Sequence, residues 1–312
     1  MNPRPEPMRF KTLTPRQWQS ADGAGLFCKA DETADPNKPQ PWHLPKHWVA
    51  DDWLPVSRQD QETVYLPLAW RLASRILRHQ QTGGGPPFLV GLSGPVAVGK
   101  SSAARLLAGL LAGLPFGIKA ATVCTDGFLW PNHILEAQNM LARKGFPESY
   151  DNRALTGFLI DLRRGLPVQA PLYSHTAYDI LPGQTQPVQG VQAVVVEGVN
   201  ILGQAPLESG PRDLAPFFDC ALYLDGPQPL VREWYLERFM ALRKAALHQP
   251  NAYFARYAAL DEAAALKQAQ RIWETVNRPN LIQHIHPSRK NAHLVLEAQA
   301  DHTIGSIHLK TQ

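Results

Sequence analysis

The sequence lacks the features that mark membrane, secreted and disulfide-stabilised proteins. No apolar run approaches the roughly 20 residues that span a bilayer, and the opening residues MNPRPEPMRFKTLTPRQWQ contain no apolar stretch of the kind that a secretory signal requires. The three cysteines, Cys28, Cys124 and Cys220, are too few and too scattered for a disulfide framework or a zinc site. We therefore expect a cytoplasmic protein with reduced thiols and no membrane contact.

Strong charge is also lacking. The 312 residues include 31 Lys and Arg against 27 Asp and Glu, a net charge of +4, and the basic residues do not cluster. This spread argues against a nucleic-acid partner and favours a mildly basic enzyme that acts on anionic substrates. No internal repeat or low-complexity tract occurs, which excludes a solenoid or a disordered chain.

Apolar runs of strand length alternate with helical stretches, which predicts an α/β fold with a mostly parallel sheet and helices on both faces. A helix over 64–79 would place Leu68, Leu72, Ile76 and Leu77 along one stripe. Helical patterns also dominate from Pro229 to Asn277. The predicted strands are FLVGLS (88–93), ATVCTD (121–126), VQAVVVEG (191–198), DCALYLD (219–225), HLVLEA (293–298) and TIGSIHLK (303–310).

The first 60 residues are predicted to form an irregular arm that belongs to the same unit as the main domain, residues 61–312. The stretch from Ala30 to Pro55 is rich in Pro, Asp and Trp, and its prolines prevent a long helix.

A phosphate-binding loop of the form GxxxxGK[S/T] lies between the first predicted strand and the helical pattern SSAARLLAGLLA. Backbone N–H groups of such a loop and the following helix N-terminus bind phosphate oxygens. Lys100 would reach the β- and γ-phosphates, and the Ser101 hydroxyl would ligate Mg²⁺. The alternative is a glycine-bearing turn with a surface lysine. The loop consists of Gly94, Pro95, Val96, Ala97, Val98, Gly99, Lys100 and Ser101.

Two carboxylates end the neighbouring predicted strands. Asp126 follows the second strand and Glu197 the third, so a parallel sheet would place both at the edge that carries the loop. Asp126 could accept the proton of an attacking hydroxyl or hold a magnesium-bound water, and Glu197 fits the Walker B pattern near the magnesium shell. Spacing alone leaves two other interpretations open: Asp126 could simply begin an Asp-Gly turn, and Glu197 could face water.

Polar and aromatic side chains recur in two further segments. The stretch YSHTAYD (173–179) is predicted as a loop that crosses the carboxyl edge of the sheet, where substrate-contacting groups are common, although aromatic packing would explain it equally. In the helical segment WYLERF (234–239), Tyr235 and Arg238 are three residues apart and share a face. Arg238 could also be an ordinary surface residue.

Taken together, the motifs resemble the bacterial type I pantothenate kinases, which belong to the broad group of uridine kinase and phosphoribulokinase. The resemblance runs from about Tyr65 to the C-terminus. It implies a P-loop kinase domain over 61–312, a homodimer, ATP and Mg²⁺ as cofactors, pantothenate as acceptor and coenzyme A as inhibitor. The matching stretches are GPVAVGKSSAARLL, TDGFLWPN, KGFPESYD, APLYSHTAYDI, VVVEGVNIL, EWYLERF, NAYFARYA and PSRKNAHLVL.

The resemblance also implies roles for individual residues. Lys100 and Ser101 would bind ATP and magnesium, Asp126 would act as base or orient the hydroxyl, and Arg238 would neutralise charge on the transferred phosphoryl group. His302 would stack near the adenine, and Arg105 would contact a coenzyme A phosphate. The residues that would line the pantothenate pocket are Tyr173, His175, Tyr178, Tyr235 and Asn277.

The sequence departs from the family pattern at four positions. Pro95 and Ser102 in the nucleotide loop replace the usual Ser and Thr, which should leave the loop geometry intact. Leu242 and Leu247 replace expected aromatics near the pantothenate pocket.

The sequence argues against two other functions. The stretches GFPESYD and YSHxxYD argue against uridine or ribulose phosphate as the acceptor. The lack of an NKxD motif argues against a regulatory GTPase.

Overall fold

The structure, a computed structural model, describes residues 10–20, 56–81, 85–249 and 252–311, and the strands of these residues form three sheets. The strands are β1 (Phe10–Leu13), β2 (Phe88–Ser93), β3 (Ala120–Cys124), β4 (Val168–Ser174), β5 (Asp179–Val188), β6 (Ala193–Glu197), β7 (Gln204–Ala205), β8 (Arg212–Asp213), β9 (Cys220–Asp225), β10 (Leu294–Ala298) and β11 (Ile304–Lys310). The α-helices are α1 (Pro15–Ser20), α2 (Arg58–Asp60), α3 (Leu66–Gln81), α4 (Lys100–Gly113), α5 (Asn132–Ala137), α6 (Asn152–Arg163), α7 (Gln228–Ala246), α8 (Ala255–Ala258), α9 (Glu262–Ile272), α10 (Arg278–Asn280) and α11 (His286–Ser288). Single turns of 3₁₀-helix cover Thr125–Phe128, Leu141–Arg143, Pro147–Ser149, Ala215–Phe217 and Arg289–Asn291, and π-helical turns cover Gln61–Tyr65, Trp273–Asn277 and Leu281–Ile285.

A seven-stranded sheet in the order β1-β11-β10-β9-β2-β6-β3 forms the centre of the fold. The five strands from β10 to β3 are parallel, whereas β11 is antiparallel to both β10 and β1. Every residue of β2 and β6 is buried. Because successive side chains of a strand point to opposite faces, both faces of the sheet centre are covered. The predicted α/β class with a mostly parallel sheet is confirmed.

The helix before the first parallel strand packs as its periodicity predicts. Leu68, Leu72 and Ile76 of α3 are fully buried, and Leu77 at the margin of the stripe is half-buried. The chain enters this helix through α2, where the Ser57 side chain caps the N-terminus by accepting a hydrogen bond from the Asp60 amide. A core helix therefore precedes β2.

The N-terminal arm is not irregular where the structure describes it. Strand β1 pairs with β11, so that Phe10 lies opposite Lys310, and α1 buries Trp18 completely. The Trp18 indole Nε1 donates to the Val64 carbonyl at 3.1 Å. Sequence periodicity missed both elements because they are short and because the strand partner is nearly 300 residues away. The proline-rich stretch 30–55 and Cys28 lie outside the described residues.

The segment predicted as a loop over the sheet edge is the tip of a separate β-hairpin. Strands β4 and β5 pair antiparallel from Val168 opposite Val188 to Ser174 opposite Asp179. The 3₁₀ turn Thr125–Phe128 similarly ends the predicted strand 121–126 at Cys124. Both differences keep polar side chains at the carboxyl edge of the sheet.

Two of the three cysteines lie in the described residues. Cys124 and Cys220 carry free thiols. Within the described ranges, no helix combines the length and apolar character that crossing a bilayer requires.

Candidate active site

The loop between β2 and α4 has the shape of a phosphate cradle. Gly99 adopts a left-handed φ of 95°, and α4 begins directly after it at Lys100. Gly94 has a φ of 148°, and a Cβ there would lie 2.2 Å from the Leu224 carbonyl oxygen, so only glycine fits. The N-terminus of a 14-residue helix therefore faces the loop, as anion binding requires.

Lys100 lies inside this loop rather than at the surface. Its Nζ donates to the Pro95 carbonyl at 2.7 Å. Burial lowers the pKa of Lys100, while the carboxylates of Glu197 and Asp126 act to raise it. The predicted surface-lysine alternative therefore does not describe Lys100, which is buried among the acidic side chains of the sheet edge.

Glu197 and Ser101 meet at the end of β6. The Ser101 hydroxyl donates to Oε1 of Glu197 at 2.7 Å, and Glu197 is buried. Hydroxyl and carboxylate oxygens are ligands that Mg²⁺ accepts, usually together with waters and phosphate oxygens. The described residues contain no group of three or more His, Cys, Asp or Glu that could enclose a metal ion. This pair thus fits a magnesium ion shared with a nucleotide better than a metal held by protein alone.

Asp126 lies on the 3₁₀ turn that follows β3, next to β6 in the sheet. Its Oδ1 accepts a hydrogen bond from the Tyr150 hydroxyl at 3.4 Å. Gly127 lets this turn approach the hairpin, because a Cβ there would lie 2.0 Å from the Pro171 carbonyl oxygen. The packing holds Asp126 between the nucleotide loop and the hairpin.

One cavity of about 790 Å³ joins these groups to the hairpin and to the C-terminal helices. Of the predicted site residues, Gly94, Val98 and His302 do not line it. Gly94 begins the loop with a positive φ, and Val98 is buried beside it. The His302 ring stacks on the Trp234 ring at a centroid distance of 4.4 Å. The predicted residues that line the cavity are Pro95, Val96, Ala97, Gly99, Lys100, Ser101, Ser102, Arg105, Asp126, Tyr173, His175, Tyr178, Glu197, Tyr235, Arg238 and Asn277.

The hairpin tip supplies an aromatic wall to the cavity. Tyr173 lies edge-on to His175 at 5.3 Å, and Tyr178 stacks on Tyr253 at 4.6 Å. The Tyr253 amide donates to the Thr176 carbonyl at 2.9 Å, which ties the tip to the segment before α8. Desolvation by the cavity wall, followed by the nearby Arg238, lowers the pKa of His175 and favours the neutral imidazole, although the residue keeps an exposed surface.

Helix α7 and the C-terminal helices supply a further part of the cavity wall. Tyr235 hydrogen-bonds the side chain of Asn277, and burial raises the pKa of the Tyr235 hydroxyl, so that it remains a donor. Arg238 lines the cavity one turn further along α7 and acts electrostatically on Lys100 and His175. The predicted shared face of Tyr235 and Arg238 is therefore the cavity face.

Lys144 is a site residue that sequence reasoning did not single out. Its Nζ donates to Oδ1 of Asn132 at 2.6 Å and to the Tyr178 carbonyl at 2.5 Å. Burial lowers its pKa to about 8, although Asp179 and Asp126 act to raise it. In the sequence, Lys144 is marked by its place as the first residue of the family stretch KGFPESYD. The resemblance to the family did not imply a role for its side chain.

The two leucines that depart from the family pattern differ in position. Leu242 lines the cavity beside Phe254. Leu247 is 55% exposed at the end of α7 and does not line the cavity, so its expected place near the pocket is wrong. Only Leu242 changes the shape of the wall.

Comparisons with known proteins agree with the site. No family model matches the chain. A pantothenate kinase of Nocardioides sp. is 43% identical over 268 residues, which are 84% of this chain and 81% of the relative. A pantothenate kinase of Sorangium cellulosum is 41% identical over 82% of this chain and 86% of the relative.

Among solved structures, the D-glycerate 3-kinase of Cryptococcus neoformans shares the fold with a TM-score of 0.52 and 17% identity. The match covers 78% of this chain and 99% of that one. An identity of this size supports the architecture alone. The relatives at 41% and 43% identity, each matched over most of its length, carry the assignment: the chain belongs to the pantothenate kinase family.

Proposed function

We propose that this chain transfers the γ-phosphoryl group of ATP to the primary hydroxyl of pantothenate, giving 4'-phosphopantothenate, the first step of coenzyme A biosynthesis. The observation that carries the proposal is the single cavity that holds Lys100, Asp126 and the hairpin aromatics together. A kinase needs its phosphate cradle, a carboxylate for the hydroxyl and a shaped acceptor wall within one enclosed space.

The nucleotide end of the reaction uses the loop and the start of α4. Backbone amides of the loop and the helix N-terminus would bind the β- and γ-phosphates. Lys100 would exchange its bond to the Pro95 carbonyl for phosphate oxygens. Ser101 and Glu197 would hold Mg²⁺, which offsets phosphate charge when bound.

The acceptor end uses Asp126 and Arg238. Asp126 would accept the proton of the attacking hydroxyl while the Tyr150 hydroxyl holds the carboxylate in place. Arg238, which lines the same cavity and acts electrostatically on Lys100, would stabilise the charge that develops on the transferred phosphoryl group. A bound substrate that displaces water from the reacting groups would strengthen both effects.

Pantothenate carries a carboxylate, an amide and two hydroxyls, and the cavity wall offers matching groups. Tyr173, Tyr178 and Tyr235 keep their protons because burial raises the pKa of each hydroxyl. Neutral His175 can both donate and accept, and Asn277 adds an amide. These groups are suited to a polar, extended acceptor with an apolar centre.

The proposal extends to regulation and assembly. Coenzyme A would inhibit by occupying the same phosphate cradle as ATP, with a phosphate contact from Arg105, which lines the cavity one turn into α4.

We also propose that the protein is a homodimer and that it is cytoplasmic. Light scattering of the purified protein would test the dimer. The chemistry of the cavity does not depend on either extension.

A coupled ADP-release assay tests the acceptor. We expect rapid ADP formation with ATP, Mg²⁺ and pantothenate, and little with uridine or without acceptor. Mass spectrometry of the product should show one added phosphoryl group on pantothenate. Equal rates with uridine, or hydrolysis that needs no acceptor, would contradict the proposed function.

A further inference from the structure

Two asparagine side chains converge on the carbonyl of Gly145. Nδ2 of Asn200 donates to this oxygen at 2.8 Å, and Nδ2 of Asn280 donates to it at 2.7 Å. The Gly145 amide donates in turn to Oγ of Ser149 at 2.9 Å. Both backbone polar groups of Gly145 are therefore held by side chains, the amide by a residue of the same turn and the carbonyl by two distant residues.

The clamped residue joins segments that each supply a cavity residue. Gly145 lines the cavity with a left-handed φ of 94°, and it follows Lys144 directly. Asn200 comes three residues after Glu197, on the loop that leaves β6. Asn280 ends α10, three residues after Asn277. The carbonyl thus connects the magnesium side of the site, the Lys144 turn and the C-terminal helices.

The two asparagine side chains reach the carbonyl from different surroundings. Asn280 is 6% exposed and lines the cavity. Asn200 is half-buried and does not line the cavity. Two amides from distant segments thus converge on one backbone oxygen, which fixes the position of that carbonyl.

Lys144 directly precedes the clamped glycine. Its Nζ reaches across the cavity margin to Asn132 and to the Tyr178 carbonyl. Tyr178 itself has a left-handed φ of 54°, which a residue with a side chain seldom adopts without support. A shift of the turn at Gly145 would draw Lys144 away and release the tyrosine from the acceptor wall.

We propose that Asn200 and Asn280 are positioning residues for the phosphoryl acceptor, which act by fixing the Gly145 carbonyl and through it Lys144 and the hairpin tip. The inference rests on the proposed function, because it assigns the acceptor to this part of the cavity. The nucleotide loop lies on other elements, so the two asparagines should affect the acceptor more strongly than ATP.

Kinetics of three alanine variants test the proposal. Asn200→Ala and Asn280→Ala each remove one donor from the Gly145 carbonyl. Asn280 lines the cavity and Asn200 does not, so Asn200→Ala separates positioning from direct contact with the acceptor. Asn291→Ala is the matched control, because its Nδ2 donates at 2.8 Å to the Leu202 carbonyl and the residue does not line the cavity. We expect the KM for pantothenate to rise roughly 10-fold or more in the first two variants. The KM for ATP should change less than the KM for pantothenate, and the loss of Tm should match that of the control.

A chemical probe follows the same change without using activity. The rate at which acetic anhydride labels Lys144, read by mass spectrometry over a pH series, reports the pKa of its amine, which is about 8 in the intact turn. In Asn200→Ala and Asn280→Ala we expect the midpoint to move towards the ordinary value of 10.5, because the released amine regains water. The control should keep the parent midpoint.

Each result bears on one proposal. A pantothenate KM and a labelling midpoint like those of Asn291→Ala in both variants would overturn the positioning role. If Asn280→Ala does not fold, Asn200→Ala tests the same carbonyl from the other side. A parent enzyme that does not phosphorylate pantothenate would overturn the proposed function, whereas the labelling midpoint would still decide whether the asparagines position Lys144.

Discussion

Lys100 and Asp126 line the same cavity but would act on different partners of the proposed reaction. In the proposed reaction Lys100 would offer a positive charge to phosphate, and Asp126 would offer a negative charge to the hydroxyl proton. Electrostatic attraction to both Glu197 and Asp126 acts to keep the buried ammonium charged despite its desolvation. Single substitutions should therefore separate phosphate stabilisation from proton transfer.

Lys100→Met should lower kcat at least about 100-fold, because the variant removes a charge aimed at the transferred phosphoryl group. The methionine side chain fills similar space, so Tm should change little. Lys119→Met, at an exposed position that does not line the cavity, is the control and should keep parent activity. Turnover near the parent value in Lys100→Met would show that the loop does not act on phosphate.

Asp126→Asn should lower kcat by about 10²- to 10⁴-fold, since the amide keeps the shape but cannot accept the proton. ATP affinity, measured by fluorescence or calorimetry, should stay near that of the parent. Asp161→Asn on α6 removes a partly exposed carboxylate away from the cavity and serves as the control. A loss of only a few fold would leave Asp126 as a turn residue.

At the scale of elements, β1 adds an edge strand to the central sheet, and α1 packs beside β1 and β11. Trp18 is fully buried, bonds the Val64 carbonyl, and lies 4.0 Å from the Arg71 guanidinium. Burial lowers the pKa of Arg71 to about 10, so the ring face replaces part of the solvation that the cation loses. These short elements are integral to the core rather than appended to it.

Trp18→Ala should lower the free energy of unfolding by about 3–5 kcal/mol, the range for removing a large buried aromatic. Urea unfolding at equilibrium measures the change. The control, Leu166→Ala at a position 48% exposed, should stay within about 0.5 kcal/mol of the parent. The N-terminal elements would be dispensable for the core if the two variants were equally stable.

At the scale of the whole molecule, nucleotide loop and acceptor wall share a single cavity rather than two separate sites. A ligand with a phosphorylated adenosine at one end and a pantothenate-derived arm at the other could therefore span both. Coenzyme A has this form, and Arg105 lines the cavity near the phosphate end. The arrangement gives a physical basis for inhibition that competes with ATP.

Coenzyme A should raise the apparent KM for ATP, and saturating ATP should restore the full rate. Arg105→Ala should weaken the inhibition, whereas Arg153→Ala, an exposed residue of α6 outside the cavity lining, should not. Initial rates over a grid of both ligands decide the question. Inhibition that ATP does not relieve would place coenzyme A elsewhere.

The sequence by itself determined the α/β class, the central strands and the phosphate loop, because each depends on local residue pattern. Lys100, Asp126 and Glu197 were placed correctly at one edge, since parallel strands bring their carboxyl ends together. The family motifs also named most of the residues that line the cavity. Their chemical roles stay predictions.

Only the tertiary structure decided the remaining features, because they depend on contacts between distant segments. Pairing of β1 with β11 joins residues nearly 300 positions apart, and no local period announces such a partner. The bonds from Asn200 and Asn280 to Gly145 likewise join residues 55 and 135 positions away from it. Packing, rather than pattern, also lowers the pKa of Lys144, since its burial arises from the hairpin and the turn around it.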